Sequence, residues 1–542
     1  MLAKLQGLES RRQEILIVSV SLFLMAIWYI KSPFGSLWIN AGDAWADGAI
    51  LTTVENAKRI PWQETWFFPI RGIARTMDSV SIIPEQGYAY VYTHWPSGYE
   101  WTAFALDRIG IGSLTGKRVI MVALSFIGLA LWARFWSLWS DRKLGAYYFG
   151  IAGLSYWFLS WSTTLGYWVS YVVLLSGLQL CLWSMPGIWG RRRLLGSWLL
   201  LLLTSLFSLK LLPWSFVVLG GLVLWRVIDL TWKQWMLLMT APVVGMGSLF
   251  LRLFWLSKLH GFDEISSKFM LRTSWLQYLT SPDYYALLAL RMEYYLGIGI
   301  LLLIAVFLVE SVKRQKHAET SKFCYVWGVT SIGGITWWFA FPHSFSEHPQ
   351  LIVLTGLAQT ALWAKLLSGG LRLTYVGSRA NSLISGIFII GLITRLCVGY
   401  FNRIVPIPNT LGEQTISGVC ATDGAMIPAI QTLVGIPCPH MGSGRFGGDN
   451  LSWEIDSCKG RVREGSFIHF THVPRVNIPG LDKVYMVYDR WRNHETLSHN
   501  VSHMGDLFDV PGQPDAAMVW QQGPVSLYEP VYYCVKGGND PW

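Results

Sequence analysis

The feature that most restricts how this chain folds is a series of long apolar runs between residues 14 and 400. A helix crossing the hydrocarbon core needs about 20 largely apolar residues, because only internal hydrogen bonds can satisfy its backbone there. Reading with that window gives roughly eleven stretches: 14–30, 118–138, 145–161, 166–185, 195–209, 211–228, 235–256, 286–310, 323–341, 349–366 and 382–400. The expected fold is an all-α polytopic membrane protein over residues 1–400. It has a long first loop at 31–117 and a small soluble domain of α+β or mostly β type at 401–542.

Composition agrees with lipid as the solvent. Charged residues make up 14% of the chain, against about 25% in ordinary soluble domains. The aromatic share is 15%, with 30 Trp, and amphipathic rings of this kind settle at the headgroup level. The formal net charge of +10 does not point to nucleic acid, since the cations are dispersed in short groups between apolar runs. The first run is followed by Lys31-Ser32-Pro33 rather than by a small-residue cleavage site, so it reads as the first transmembrane helix.

Placing Lys4, Arg11 and Arg12 in the cytoplasm puts Arg142/Lys143, Arg191 to Arg193, Arg226/Lys233, Lys313/Arg314/Lys316 and Arg372/Arg379 on the same side. Lys117 and Arg118 fall on the opposite side, next to a loop long enough to be translocated regardless of charge. An odd number of crossings leaves residues 401–542 outside the cytoplasm. The cysteines suit that compartment: Cys420, Cys438, Cys458 and Cys534 all lie in this tail, an even number that suggests two disulfides, whereas Cys181, Cys324 and Cys397 lie in apolar runs. Alternating segments at Ser466–Phe470 and Lys483–Tyr488 read as strands, and Asn450-Leu451-Ser452 and Asn500-Val501-Ser502 match the glycosylation sequon.

The first loop far exceeds the usual connection of about 2–8 residues between bundled helices, and loops of such length are commonly functional. Residues 43–58 can form a helix along the membrane surface, and Trp62, Trp66, Phe67, Phe68 and Pro69 suit an interfacial anchor. Asp43 and Asp47 are four apart, so on a helix both carboxylates face one way. They are either a solvated helix N-terminus or a general base with a neighbouring acid. Later in the loop, Tyr92-Thr93-His94-Trp95-Pro96-Ser97-Gly98-Tyr99 contains a rigid turn able to aim His94, or to serve only as an aromatic interface turn.

Three further loops on the same side carry polar groups. Lys210, in Ser208-Leu209-Lys210-Leu211-Leu212-Pro213, sits at a very short turn, where it either snorkels to the surface or binds a lipid phosphate. The segment 257–285 adds Lys258, His260, Lys268 and Arg272 around Asp263 and Glu264. His343, Glu347 and His348 lie within one short turn and suit a phosphate, or less well a divalent cation, since their spacing matches no strong zinc motif. No cofactor is otherwise indicated.

In order and topology these residues resemble the C superfamily of membrane glycosyltransferases, over about residues 10–400. In that family a long first external loop begins with an acidic motif, which Asp43 and Asp47 would supply. Tyr92 to Gly98 resembles the Tyr-x-x-Tyr-Pro-Pro-type segment found late in that loop, with Trp95 and Ser97 as departures. Lys210 before Pro213 is similar to a Thr-Lys-Gly-Pro-type turn without its Thr and Gly. His343 to His348 resembles a late external loop bearing His and acidic residues, although Pro349-Gln350 replaces the usual Asp-Tyr. The resemblance implies transfer of a sugar from a polyprenyl-phosphate donor to a glycan, lipid or protein acceptor, in the plasma (inner) membrane and on its non-cytoplasmic side. The implied roles are Asp43 as the base that activates the acceptor, Asp47 as a second acid, and His94, Lys210, Arg272, His343 and His348 as substrate ligands. The competing classes are a transporter or lipid flippase, which would place ionisable residues within spans, and a non-catalytic assembly protein that keeps the same topology.

Overall fold

The computed structural model describes residues 2–31, 50–58, 62–72, 79–91, 97–260, 278–313, 318–342, 351–368 and 382–394 with short internal gaps, and six strands between 419 and 528. Helix α1 (Leu2–Lys31) is followed by the strands of the first loop, β1 (Ile70–Gly72), β2 (Ser79–Ile83) and β3 (Gly87–Val91), which form an antiparallel sheet in the order β1-β3-β2. Helix α2 (Gly98–Arg108) ends the loop. Next come α3 (Leu114–Trp139), α4 (Arg142–Leu154), α5 (Tyr156–Trp161), α6 (Ser170–Trp183), α7 (Arg191–Phe207), α8 (Leu211–Leu224) and α9 (Trp232–His260). The helical part continues with α10 (Pro282–Leu296), α11 (Ile300–Lys313), α12 (Ala318–Ala340) and α13 (Ile352–Leu367).

Each predicted apolar stretch is helical over most of its described residues. Stretches in α1, α3 and α9 are long and apolar enough to cross a membrane, and α6, α8 and α13 are shorter apolar helices. The chain is thus an integral membrane protein. Where the sequence suggests one span at 286–310, the structure has α10 and α11 meeting at 97°. The cause is local: Gly297 and Gly299 adopt φ of +114° and +92°, values that glycine reaches without a Cβ penalty. The Glu293 carboxylate then accepts from the backbone N–H groups of Gly299 and Leu301, capping α11.

The bundle is built round α13, in which every residue from Ile352 to Ala364 is buried. Its sequence is largely apolar, as a central helix requires, with Thr355 and Gln359 bonded to Gly334 and Ser331 of α12, and it packs on α4, α10, α11 and α12. Helix α1 lies at the edge and touches α4 through Ser21, Met25 and Trp28, a stripe at spacings of four and three. Helices α3 and α6 approach most closely where Gly128 meets the backbone of Val173 and Leu174. Polar side chains fasten α6, α7 and α8 to one another: Gln179 donates to Thr204 Oγ1 at 2.8 Å, and Ser215 donates to Gln179 Oε1 at 2.8 Å.

Strands β4 (Val419–Thr422), β5 (His440–Met441), β6 (Phe467–His469), β7 (Val484–Asp489), β8 (Met518–Gln522) and β9 (Val525–Tyr528) form one sheet in the order β5-β6-β4-β7-β9-β8. Both strands expected at 466–470 and 483–488 are present. The first four strands of the order pair in parallel and the last two antiparallel, a mixed sheet that alternation alone does not reveal. Cys438, Cys458 and Cys534 lie outside the described residues and Cys420 is in β4; among the described residues no disulfide is formed, and Cys181 and Cys324 are free thiols.

Candidate active site

All seven residues singled out for chemistry, Asp43, Asp47, His94, Lys210, Arg272, His343 and His348, lie outside the described residues. The structure does describe the frame from which several of them extend, at the first-loop end of the bundle.

The turn that follows His94 is seated on α7. A Cβ on Gly98 would come within 2.7 Å of the Leu206 carbonyl oxygen and 2.9 Å of the Phe207 ring, so only glycine permits this approach. The next residue, Tyr99, packs its ring 5.1 Å from Tyr171 and 6.0 Å from Phe207. Gly98 is four residues after His94, and Phe207 is three before Lys210. The contact therefore joins the chain segments that lead to these two residues.

A second seat lies on α9. Trp62 to Phe68 closes into a tight turn in which Phe67 N donates to Trp62 O at 2.7 Å and Thr65 Oγ1 donates to Phe68 O at 2.6 Å. Trp66 and Phe67 take φ of +52° and +62°, a left-handed pair that costs bulky side chains energy and persists only where neighbours enforce it. Those neighbours are on α2 and α9. The Phe67 carbonyl accepts from Trp101 Nε1 at 3.1 Å and from Arg252 Nη1 at 3.4 Å. Arg252 also lies over the rings of Phe68 and Trp101 at 4.7 and 5.2 Å, and Trp66 stacks on Trp255 at 5.7 Å. The aromatic run expected to be an interfacial anchor is thus largely inside the protein: Trp62, Phe68 and Pro69 are buried, and Phe67 is exposed.

Charge ties the opening of the loop to α3. Asp107, near the end of α2, receives Lys58 Nζ on Oδ2 and Lys117 Nζ on Oδ1, both at 3.2 Å. Lys117 is 1% exposed and gives a further hydrogen bond to the Gly112 carbonyl at 2.6 Å. Partial burial works against the Asp107 charge, but the hydrogen bonds and charges of Lys58 and Lys117 outweigh it and hold the carboxyl below its ordinary value.

Sequence reasoning missed two residues here. Glu100 and Arg118 are each 2% exposed, a degree of burial that ionisable side chains reach only when paired. The signal for Arg118 was present, since Lys117 and Arg118 are the cations that dissent from the topology rule. The signal for Glu100 was its place with Tyr99 and Ala103 on the buried face of α2. Arg291, which the sequence places near a span end, is also buried. It lies in α10, where Tyr295 stacks on Tyr156 at 5.5 Å and Tyr284 donates to the Trp338 carbonyl at 2.6 Å.

Beneath α2 the turn between α5 and α6 is itself buried and polar. Ser160, Ser162, Thr163, Thr164 and Ser170 are enclosed. Ser125 bonds to Ser170 at 3.0 Å, and Tyr29 to Ser162 at 2.6 Å. These bonds, and one from Thr164 to the Trp161 carbonyl, fasten the polar turn from inside the bundle. Among the described residues no group of three or more His, Cys, Asp or Glu side chains is placed to hold a metal ion.

No protein-family description and no curated protein matches the chain. Solved structures do. The chain is similar to ArnT from Cupriavidus metallidurans bound to undecaprenyl phosphate, at 13% identity and a TM-score of 0.49 over 95% of this chain and 97% of that one. The apo state of the same protein gives 12% identity and a TM-score of 0.48 over 96% and 98%. An oligosaccharyltransferase from Archaeoglobus fulgidus in the apo form gives 9% identity and a TM-score of 0.43 over 88% and 69%. The likeness is loose, and the functional reading rests on the chain's own residues.

Proposed function

We propose that this protein is an inverting membrane glycosyltransferase, moving a sugar from a polyprenyl-phosphate donor to an acceptor on the non-cytoplasmic face of the plasma (inner) membrane. The observation that carries the reading is the seating of Gly98 on Leu206 and Phe207. It supports convergence of the His94 and Lys210 segments at one end of the bundle.

The chemistry follows from the residue types. Asp43 takes the proton of the acceptor hydroxyl as its oxygen forms a bond to the anomeric carbon. The bond from that carbon to the phosphate oxygen breaks, and its electron pair leaves with the polyprenyl phosphate. Lys210 and Arg272 offset the charge developing there. Asp47 acts as the second acid, and His94, His343 and His348 bind the substrates. No step requires a metal, and a divalent cation near His343 and His348 would serve the phosphate. The proposed topology puts the domain at 401–542 on the same face.

The test is release of polyprenyl phosphate by the full-length protein in lipid nanodiscs, supplied with a panel of undecaprenyl-phosphate monosaccharides. Asp43→Asn keeps the shape of the side chain and removes the base, so turnover should fall by on the order of a hundredfold or more. Lys210→Ala should raise KM for the donor. Full turnover by Asp43→Asn would remove Asp43 as the base.

One observation favours a second reading. The break at Gly297–Gly299 is the kind of discontinuous helix that transporters use to hold cargo. Movement of lipid-linked sugar across a proteoliposome membrane, without sugar transfer, would select it. Against it, Glu293 is already engaged in capping α11.

A further inference from the structure

Helix α9 begins with the exposed Trp232, followed by Lys233. Arg252 lies 20 residues after Trp232 on the same helix, about 30 Å along its axis, which is the thickness of a hydrocarbon core. Arg252 therefore stands at headgroup level, at the interface opposite Lys233. Its helix neighbours Leu251, Phe254 and Trp255 are exposed, as on a helix that faces lipid, so the position opens sideways to the bilayer.

Among the described residues no carboxylate pairs with Arg252. Its hydrogen bond there is a long one, 3.4 Å from Nη1 to the Phe67 carbonyl, which leaves most of the five guanidinium donors for another acceptor. The rings of Phe68 and Trp101, 4.7 and 5.2 Å away, hold the cation in place. A planar fork of donors kept at a lipid interface in this way suits phosphate, which it can bind through two parallel bonds. The carbonyl that Arg252 touches belongs to the left-handed Trp66–Phe67 pair, a conformation that persists only where its neighbours enforce it. An anion that fixes the guanidinium would therefore also fix the turn.

We propose that Arg252, flanked by Phe68 and Trp101, binds the phosphate of an anionic bilayer phospholipid through its guanidinium fork, and that the bound lipid locks the turn at 62–68 onto α9. A polyprenyl phosphate offers the same chemical group. The perimeter position favours the phospholipid, which is in large excess wherever a site faces the bilayer side-on. The lipid is neither donor nor acceptor of a sugar here; it acts on the seating of the first loop, and the site does not depend on the transfer reaction.

The experiment places the full-length protein in nanodiscs of phosphatidylcholine alone, or of phosphatidylcholine and phosphatidylglycerol in equal amounts. The Trp66, Phe67 and Phe68 amides are hydrogen-bonded within the turn, so their hydrogen–deuterium exchange reports its opening. Phosphatidylglycerol should slow that exchange about fivefold, the effect of one cation at an anionic surface, while exchange in α6 stays the same. Arg252→Gln should abolish the slowing. Lys233→Gln, which removes a cation at the other interface, should leave it intact. Arg252→Lys keeps the charge but loses the fork, so it should retain only a small part of the slowing, and it carries the test if Arg252→Gln loosens α6 as well.

Equal exchange in the two nanodiscs overturns the proposal, as does slowing that survives Arg252→Gln or is complete in Arg252→Lys. Two further arms identify the source of the phosphate. Inorganic phosphate added to phosphatidylcholine nanodiscs should leave exchange unchanged, and slowing there would show that no lipid is needed. Undecaprenyl phosphate doped into phosphatidylcholine should have less effect than phosphatidylglycerol; slowing by undecaprenyl phosphate alone would assign the site to the polyprenyl lipid and overturn the proposal.

Discussion

Asp107 accepts from two lysines of opposite character, the half-exposed Lys58 and the buried Lys117, and the loss of its charge affects them unequally. Lys58 can return to water. Lys117 would keep only the Gly112 carbonyl, and a buried ammonium without its carboxylate is costly. Asp107→Asn should therefore destabilise the protein at neutral pH by about 2–3 kcal/mol, most of it from Lys117, since exposed pairs contribute little. The sign of the pH dependence follows from the lowered folded value. The contribution is complete above the ordinary carboxyl value of about 4 and is lost as pH falls through the lower folded value. Thermal midpoints of wild type and Asp107→Asn should differ at pH 7 and converge in stronger acid. Equal midpoints at pH 7 would show that the charge contributes nothing. At this scale the sequence was partly legible. Lys117 and Arg118 were conspicuous as cations on the wrong side, yet only the fold shows that Asp107, ten residues before Lys117, is the partner.

Helix positions were readable because apolar length is a local property of sequence, whereas the way the helices pack is not. Nothing at 349–366 distinguishes α13 from its neighbours until it is found surrounded on all sides. The break in α10–α11 was missed because glycines are common in spans and only their backbone angles reveal a turn. The left-handed Trp66–Phe67 pair was missed because neither residue favours that conformation. Glycine provides the sharpest test of packing. A Cβ on Gly128 would stand 2.5 Å from the Leu174 backbone nitrogen and 2.6 Å from the Val173 carbonyl carbon, and backbone atoms cannot move aside as a flexible side chain can. Gly128→Ala must push α3 and α6 apart, at a cost of about 1–3 kcal/mol or more. Gly247, exposed on α9 with nothing within 4 Å of its Cβ position, is the control. Gly247→Ala should be neutral or stabilising by about 0.5–1 kcal/mol. Unfolding midpoints in detergent distinguish the two, and a Gly128→Ala protein as stable as wild type would refute the close crossing.

For the molecule as a whole, the side on which the C-terminal sheet lies depends on how the bent pair is counted. If α10 and α11 together make one crossing, the predicted count stays odd and the chain ends opposite its N-terminus. If they only dip into the membrane and return, the count becomes even and the end moves to the cytoplasm. Contacts with α12 bear on the choice. Tyr284, at the start of α10, donates to the carbonyl of Trp338. Phe307, in α11, packs 5.8 Å from Phe323 and 4.9 Å from Trp327. Trp338 and Phe323 are 15 residues apart on one helix, which is about 22 Å at 1.5 Å per residue. The pair therefore runs antiparallel to α12 over about 22 Å, the course expected if it makes one broken crossing. With the N-terminus in the cytoplasm, a reporter fused after Trp542 should be silent if it works only in the cytoplasm and active if it needs export. Oxidised Cys420, Cys438, Cys458 and Cys534 in protein taken from its native membrane should accompany that result, since disulfides persist only in an oxidising compartment. An active cytoplasmic reporter together with four free thiols would place the domain beside the N-terminus, and the sugar transfer proposed for the opposite face would lose its acceptor-side domain.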